Sequence, residues 1–146
     1  MRRVFLVDDP RDLERAYAIR MEVFVREQQV PAEEELDALD AVSAHALVEE
    51  AGVAVATGRL IPPDAEHAYA KIGRMAVLRA HRKTGAGRAV LEFLMELAAQ
   101  RRYGELRLSS QDHAMGFYAR HGFQVCSEQF LDCGIPHHWM RRGGGA

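Results

Sequence analysis

The period of the apolar positions changes several times along this chain, and each change marks an element. Val4 to Val7 is a short strand-like run. Asp9-Pro10 supplies a cap and a first-turn proline for a helix whose Leu13, Ala16, Tyr17, Met21 and Phe24 share one apolar face. Pro31 and Glu33-Glu34-Glu35 predict a short second helix to about Leu39. Ala44 to Glu49 and Val53 to Leu60 read as strands joined at Ala51-Gly52, a hairpin that Pro62-Pro63-Asp64 terminates. Ala68 to Leu78 is the next strand. A helix from Gly87 to Tyr103 follows, with Val90, Phe93, Leu94, Leu97 and Ala98 on one stripe and Leu91 and Met95 widening it, as on a helix pressed against a sheet. Leu106 to Ser109 is a strand and Asp112 to His121 a short helix stopped by Gly122. Phe123 to Glu128 and His137 to Met140 are the last strands expected. The order β-α-α-β-β-β-α-β-α-β-β implies an α/β (α+β) domain: a mixed sheet with helices on both faces.

Between the strand ending near Leu78 and the long helix lies Arg82-Lys83-Thr84-Gly85-Ala86-Gly87-Arg88. Two glycines one residue apart let the backbone turn tightly and come close to a ligand. The helix start offers unpaired N–H groups and the positive end of its dipole, a construction suited to phosphate. Composition narrows the ligand. With 146 residues, one domain with a real core is expected, spanning 1–142, with 143–146 as a disordered glycine-rich tail. A net charge of −2 argues against nucleic acid as partner. The absence of a long apolar run argues against membrane insertion or a secretory signal. Cys126 and Cys133 have neither zinc nor disulfide spacing, so a reduced cytoplasm is the expected setting. His137-His138 would face opposite sides of a strand, and no other histidine has ligand spacing, so no metal is expected.

A nucleotide P-loop needs its lysine after the glycines, and here it precedes them. A dinucleotide fingerprint needs glycine at position 90, which is valine. What stands is Arg82-x-x-Gly85-x-Gly87 between strand and helix, followed by Gln111-x-x-Ala114-x-x-Phe117-Tyr118-x-x-x-Gly122-Phe123. In that order and spacing, the pair resembles the two signatures of the GNAT acyl-CoA N-acyltransferases. Val23-Phe24-Val25-Arg26-Glu27-Gln28-x-Val30-Pro31, Arg74-Met75-Ala76-Val77 and the Ser127-to-His137 segment are similar to the ElaA/YjcF-like bacterial subgroup. The likeness runs from about residue 17 to residue 140.

The resemblance implies a mostly antiparallel sheet splayed at its centre, and an acetyl-CoA or coenzyme A site. The amides of Met75, Ala76 and Val77 would hold the pantetheine arm and acyl oxygen, and those from Arg82 to Arg88 the pyrophosphate. Ala114 and Phe117 would line the cofactor. Gln111 stands where the family usually has asparagine, one methylene shorter, which puts its cofactor contact in doubt. Tyr118 is the candidate general acid for the departing thiolate, since a phenol keeps its proton at neutral pH; the alternative is that it packs along the thiol and water donates. For the base, Glu27 is the first candidate, while Arg74, Glu128 and His137 are implied to border the acceptor cleft. Glu33, Glu34, Glu35, Asp37 and Asp40 form either an electrostatic guide for a cationic amine or a solvated helix face.

The expected function is acetyl transfer from acetyl-CoA to a primary amine of a small molecule or protein, by a monomer or homodimer. A coenzyme A-binding module without turnover is the competing reading, and a nucleotide-phosphate binder the third.

Overall fold

The computed structural model describes residues 1–143. Asp9 caps the first helix as its residue type requires: its carboxylate accepts the Asp12 N–H at 2.8 Å, and Pro10 fills the first turn. This helix, α1 (Pro10–Arg20), runs on into a π-helical segment, Met21–Glu27. The buried positions are Ala16, Ile19, Arg20 and Val23, so the core face is rotated from the stripe of Leu13 and Met21 that the sequence predicts. The expected second helix is broken in two. α2 (Ala32–Glu35) ends at extended Leu36, and Asp37 then caps a 3-10 turn, Ala38–Ala41, by a reciprocal capping box with Asp40.

The strands are β1 (Arg2–Leu6), β2 (Ala44–Glu50), β3 (Val53–Ile61), β4 (Ala70–Val77), β5 (Glu105–Gln111), β6 (Gln124–Val125), β7 (Phe130–Asp132) and β8 (Ile135–Gly143). They form one sheet in the order β1-β2-β3-β4-β5-β8-β6, with β7 also on β8. Every pairing is antiparallel except β4 with β5. β7 was absent from the sequence reading. The last strand runs through Gly143, which pairs with Glu105, one residue past the expected domain edge; residues 144–146 of the expected tail lie outside the described residues.

The long helix, α3 (Ala86–Gln100), buries Ala86, Val90, Leu91, Leu94 and Ala98 on one sheet face, while Ala16, Ile19 and Val23 pack with Leu47 and Ala76 on the other. The approach of α3 is close at Gly58: a Cβ there would meet Met75 Sδ and Val90 Cγ1 at 2.7 Å. Opposite Gly58 lies a bulge in β4, where Thr57 pairs with Ala76 but Arg59 with Gly73. Arg74 occupies it with φ 51, a conformation disfavoured for a side chain with a Cβ.

That bulge opens the sheet. β4 and β5 are in register only from Ala70/Leu106 to Ile72/Leu108. Beyond them β4 continues to Val77 and β5 to Gln111 without pairing, so the β5-facing backbone groups of Gly73 to Val77 have no strand partner on that side. The short helix α4 (Met115–Ala119) follows β5 through a 3-10 turn, Asp112–Ala114. Among the described residues no helix is long and apolar enough to cross a membrane.

Candidate active site

A cleft of about 1030 Å³ opens where β4 and β5 part, walled by the π segment, α4, the glycine turn and the β7–β8 hairpin. At one end, Gly85 caps α3 at φ 90, a left-handed geometry natural to glycine, and the first N–H groups of the helix are presented beside it. A Cβ on Gly87 would stand 3.4 Å from Val77 Cγ2 and 4.0 Å from Phe117 Cζ, so the turn, the end of β4 and α4 converge there. Lys83 and Arg88 line this end, the latter paired along its helix with Glu92 at 2.9 Å. Arg120, which the sequence did not single out, lines it too.

Arg82 is committed elsewhere. Its Nε donates to the Val77 carbonyl at 3.0 Å, and its two terminal nitrogens donate to the Glu27 carboxylate at 2.6 and 2.7 Å. This fork ties the glycine turn to the π segment. The Arg82 hydrogen bonds hold the Glu27 carboxyl below its ordinary pKa, and Glu27 in turn raises that of Arg82. A carboxylate so held is a poor proton acceptor, which counts against Glu27 as the general base.

Tyr118 lies at the cleft floor, 8% exposed, its ring edge-on to Phe117 and Phe123. Burial pushes its phenol pKa up, so the proton is kept. Gln111 uses its extra methylene to cross the cleft. Its Nε2 donates to Gln28 Oε1 at 2.7 Å, Gln28 donates back at 3.3 Å, and His113 Nε2 meets Gln111 Oε1 at 2.6 Å.

His137 also lines the cleft. Its Nδ1 donates to the Ile135 carbonyl at 2.7 Å and its ring stacks on Phe130, leaving Nε2 with the lone pair. Three expected site residues fall outside the lining. Thr84 is exposed, its hydroxyl bonded to the His81 carbonyl at 2.5 Å; Ala86 is turned into the core; and Glu128 is exposed on the segment before β7.

The acidic run divides: Glu33 and Glu34 are exposed, as on a solvated helix face, while the other three are taken up in ion pairs. Glu35, Asp37 and Asp40 meet three arginines from distant elements. Buried Arg20 donates to Glu35 Oε1 at 2.7 Å and to Asp40 Oδ1 at 2.7 Å. Arg59 donates to Asp37 at 2.7 Å and Asp40 at 2.8 Å. Arg74, at the bulge, donates to the Glu35 carbonyl and to Asp37, each at 3.2 Å. Burial would raise the Asp40 pKa, but the Arg20 and Arg59 contacts overcome it and hold it at about 2. For Glu35 burial wins and the pKa is raised, with Arg20 and Arg74 opposing. Glu34 accepts the Cys133 thiol at 3.0 Å. The network thus fixes one wall of the cleft and the strained Arg74 together. One sequence signal pointed to it: Arg20 sits four residues after Ala16, on the buried side of an amphipathic helix, where an unpaired charge is costly.

The sequence model of the acetyltransferase (GNAT) domain matches residues 13–143. The chain is 38% identical over 141 residues to a protein called uncharacterized N-acetyltransferase YjcF from Bacillus subtilis (strain 168), covering 96% of this chain and 99% of that one. Among solved structures, an acyl-CoA N-acyltransferase from Pseudomonas aeruginosa superposes with a TM-score of 0.89 at 30% identity, over 98% of this chain and 100% of the other. Escherichia coli ElaA superposes with a TM-score of 0.86 at 25% identity, over 97% and 99%. With the family model matching residues 13–143 and a near full-length relative 38% identical, this chain belongs to the GNAT acetyltransferase family.

Proposed function

We propose that the protein transfers an acetyl group from acetyl-CoA to a primary amine by direct attack in a ternary complex. The observation that carries this reading is the coincidence, in one cleft, of the unpaired edge of β4, the glycine turn and the protonated Tyr118. Residues 1–142 act as one domain, and the cytoplasm suits its two unpaired, exposed cysteines.

The diphosphate lies on the N–H groups at Gly85 to Arg88, with Lys83, Arg88 and Arg120 supplying charge. Arg82 works indirectly by fixing the turn to Glu27. The pantetheine arm takes the vacant strand position beside β4, and an amide between Met75 and Val77 polarises the thioester carbonyl; such a preorganised donor contributes roughly 3 kcal/mol in acyl transfer. Ala114 and Phe117 form the apolar wall of the arm, and the Gln28–Gln111 pair closes the cleft across it. The amine nitrogen bonds to the carbonyl carbon, the tetrahedral oxyanion collapses, and the C–S bond breaks. The sulfur takes the Tyr118 proton, and the proton shed by the nitrogen returns through water to the phenolate. On that path His137 Nε2 takes the proton first and hands it on through water to the phenolate; it suits this relay better than Glu27, because its ring is held with Nε2 unbonded while the Glu27 carboxylate is tied to Arg82.

Thiol release from acetyl-CoA with a panel of primary amines tests the reading. Steady turnover is expected, and Tyr118→Phe lowers kcat about 100-fold while acetyl-CoA affinity changes little. Coenzyme A binding with no turnover on any amine favours the non-catalytic module instead.

A further inference from the structure

The acceptor half of the cleft holds one cation that the protein itself leaves uncompensated. Arg20, Arg59 and Arg74 stand against Glu35, Asp37 and Asp40, three charges against three, each joined by a contact of 3.4 Å or less. Lys71, on β4, lines the same cleft and makes no hydrogen bond or ion pair among the described residues. A rim lysine is ordinarily solvated, but Lys71 is half-buried and its flanking Ala70 and Ile72 are fully so. In register it sits between Ile61 of β3, which is 7% exposed, and Arg107 of β5. Arg107 cannot be neutralised by it or serve in its place: it is paired with Glu105 and lies over the Tyr69 ring at 4.1 Å. Among the described residues Asp132 is the cleft-lining carboxylate without an arginine, and it is exposed at the mouth, where water and salt screen it. The wall between is apolar: Leu39, Ile61, Phe130 and Trp139.

We propose that the acceptor is a primary amine joined to a carboxylate through an apolar spacer, and that Lys71 receives the carboxylate. This rests on the transferase reading for the position of the thioester. Lys71 pairs with Ile61 and Ala76 with Thr57, so with the bulge counted Lys71 and Ala76 lie four β3 positions apart, about 13 Å at a rise of about 3.3 Å per residue. The lysine stem bridges part of that distance and the acceptor the rest, so a carboxylate directly beside the amine falls short and one several carbons away reaches. The spacer lies on Ile61, Phe130 and Trp139, whose burial supplies affinity without direction, while Lys71 supplies direction.

The test compares 6-aminohexanoate with hexylamine, equal in length and differing in the carboxylate, on the full chain with acetyl-CoA. The acid is expected to be preferred at least about 10-fold in kcat/KM, equivalent to about 1.4 kcal/mol. Lys71→Met should abolish the preference through the KM for the acid, and Lys71→Arg should restore most of it. Equal use of both amines, or a preference that survives Lys71→Met, overturns the proposal and leaves the transferase reading intact. A second readout needs no turnover: Trp139 is the single tryptophan, and its emission should respond to 6-aminohexanoate on the coenzyme A-loaded protein, about 10-fold more weakly in Lys71→Met. Binding of that kind without thiol release keeps the carboxylate site and sinks the transferase; neither binding nor transfer sinks both.

Discussion

The two halves of the cleft are built by different physics. The half proposed for the cofactor is made mostly of backbone: a left-handed Gly85, the start of α3 and an unpaired strand edge, with one buried phenol. The half proposed for the acceptor is made of side chains, three arginines and three carboxylates from α1, α2, the 3-10 turn, β3 and β4. A backbone site needs particular residues at fixed local spacing. A side-chain network needs only that charges balance in space, and its bonded partners lie up to 39 positions apart. The first can therefore bind a constant group, while the second can be altered residue by residue to suit another acceptor.

Variants that break this division should differ in kind as well as size. Arg20→Ala leaves Glu35 and Asp40 buried with reduced compensation, and should cost about 3–5 kcal/mol in urea unfolding. A loss under 1 kcal/mol would mean that the network relaxes to water. Gly87→Trp should weaken coenzyme A binding about 100-fold or more by calorimetry with little change in melting temperature. Gly87→Ala should bind nearly normally, since a Cβ there meets nothing closer than 3.4 Å. Equal effects of the two would place the diphosphate elsewhere.

Two smaller effects sharpen the comparison. Glu27→Gln removes the ionic partner of Arg82, and should raise the acetyl-CoA KM several-fold while leaving the pH profile of kcat in place; a lost acidic limb would restore Glu27 as the base. Asp40 has its folded pKa depressed from 3.8 to about 2. Its stabilisation is therefore full above about pH 4 and is lost as pH falls toward about 2, a contribution of about 2 kcal/mol. Acid-unfolding curves of Asp40→Asn should be flatter over that window. Glu35 works in the opposite sense, since its raised pKa favours the protonated form on folding.

Local chemistry was readable in particular places. Asp9-Pro10, the Gly85 turn, the stripe of α3 and the Ala51-Gly52 hairpin each rest on residues within a few positions of one another. The π segment was not readable, because an apolar pattern at helical spacing accommodates either winding. Nor was β7, whose three residues become a strand by pairing with β8. Glu27 had the right residue type for a base, and only the fold reveals its approach to Arg82, 55 positions away, which counts against that role.

By itself, then, the sequence determined the family, the main strands and helices and the glycine turn, since each depends on short-range spacing along the chain. Tertiary structure alone decided which charges cancel, which remain, and which side of a turn faces the ligand. Electrostatic compensation depends on distance in space, and folding sets that distance only when strands and helices from opposite ends of the chain meet.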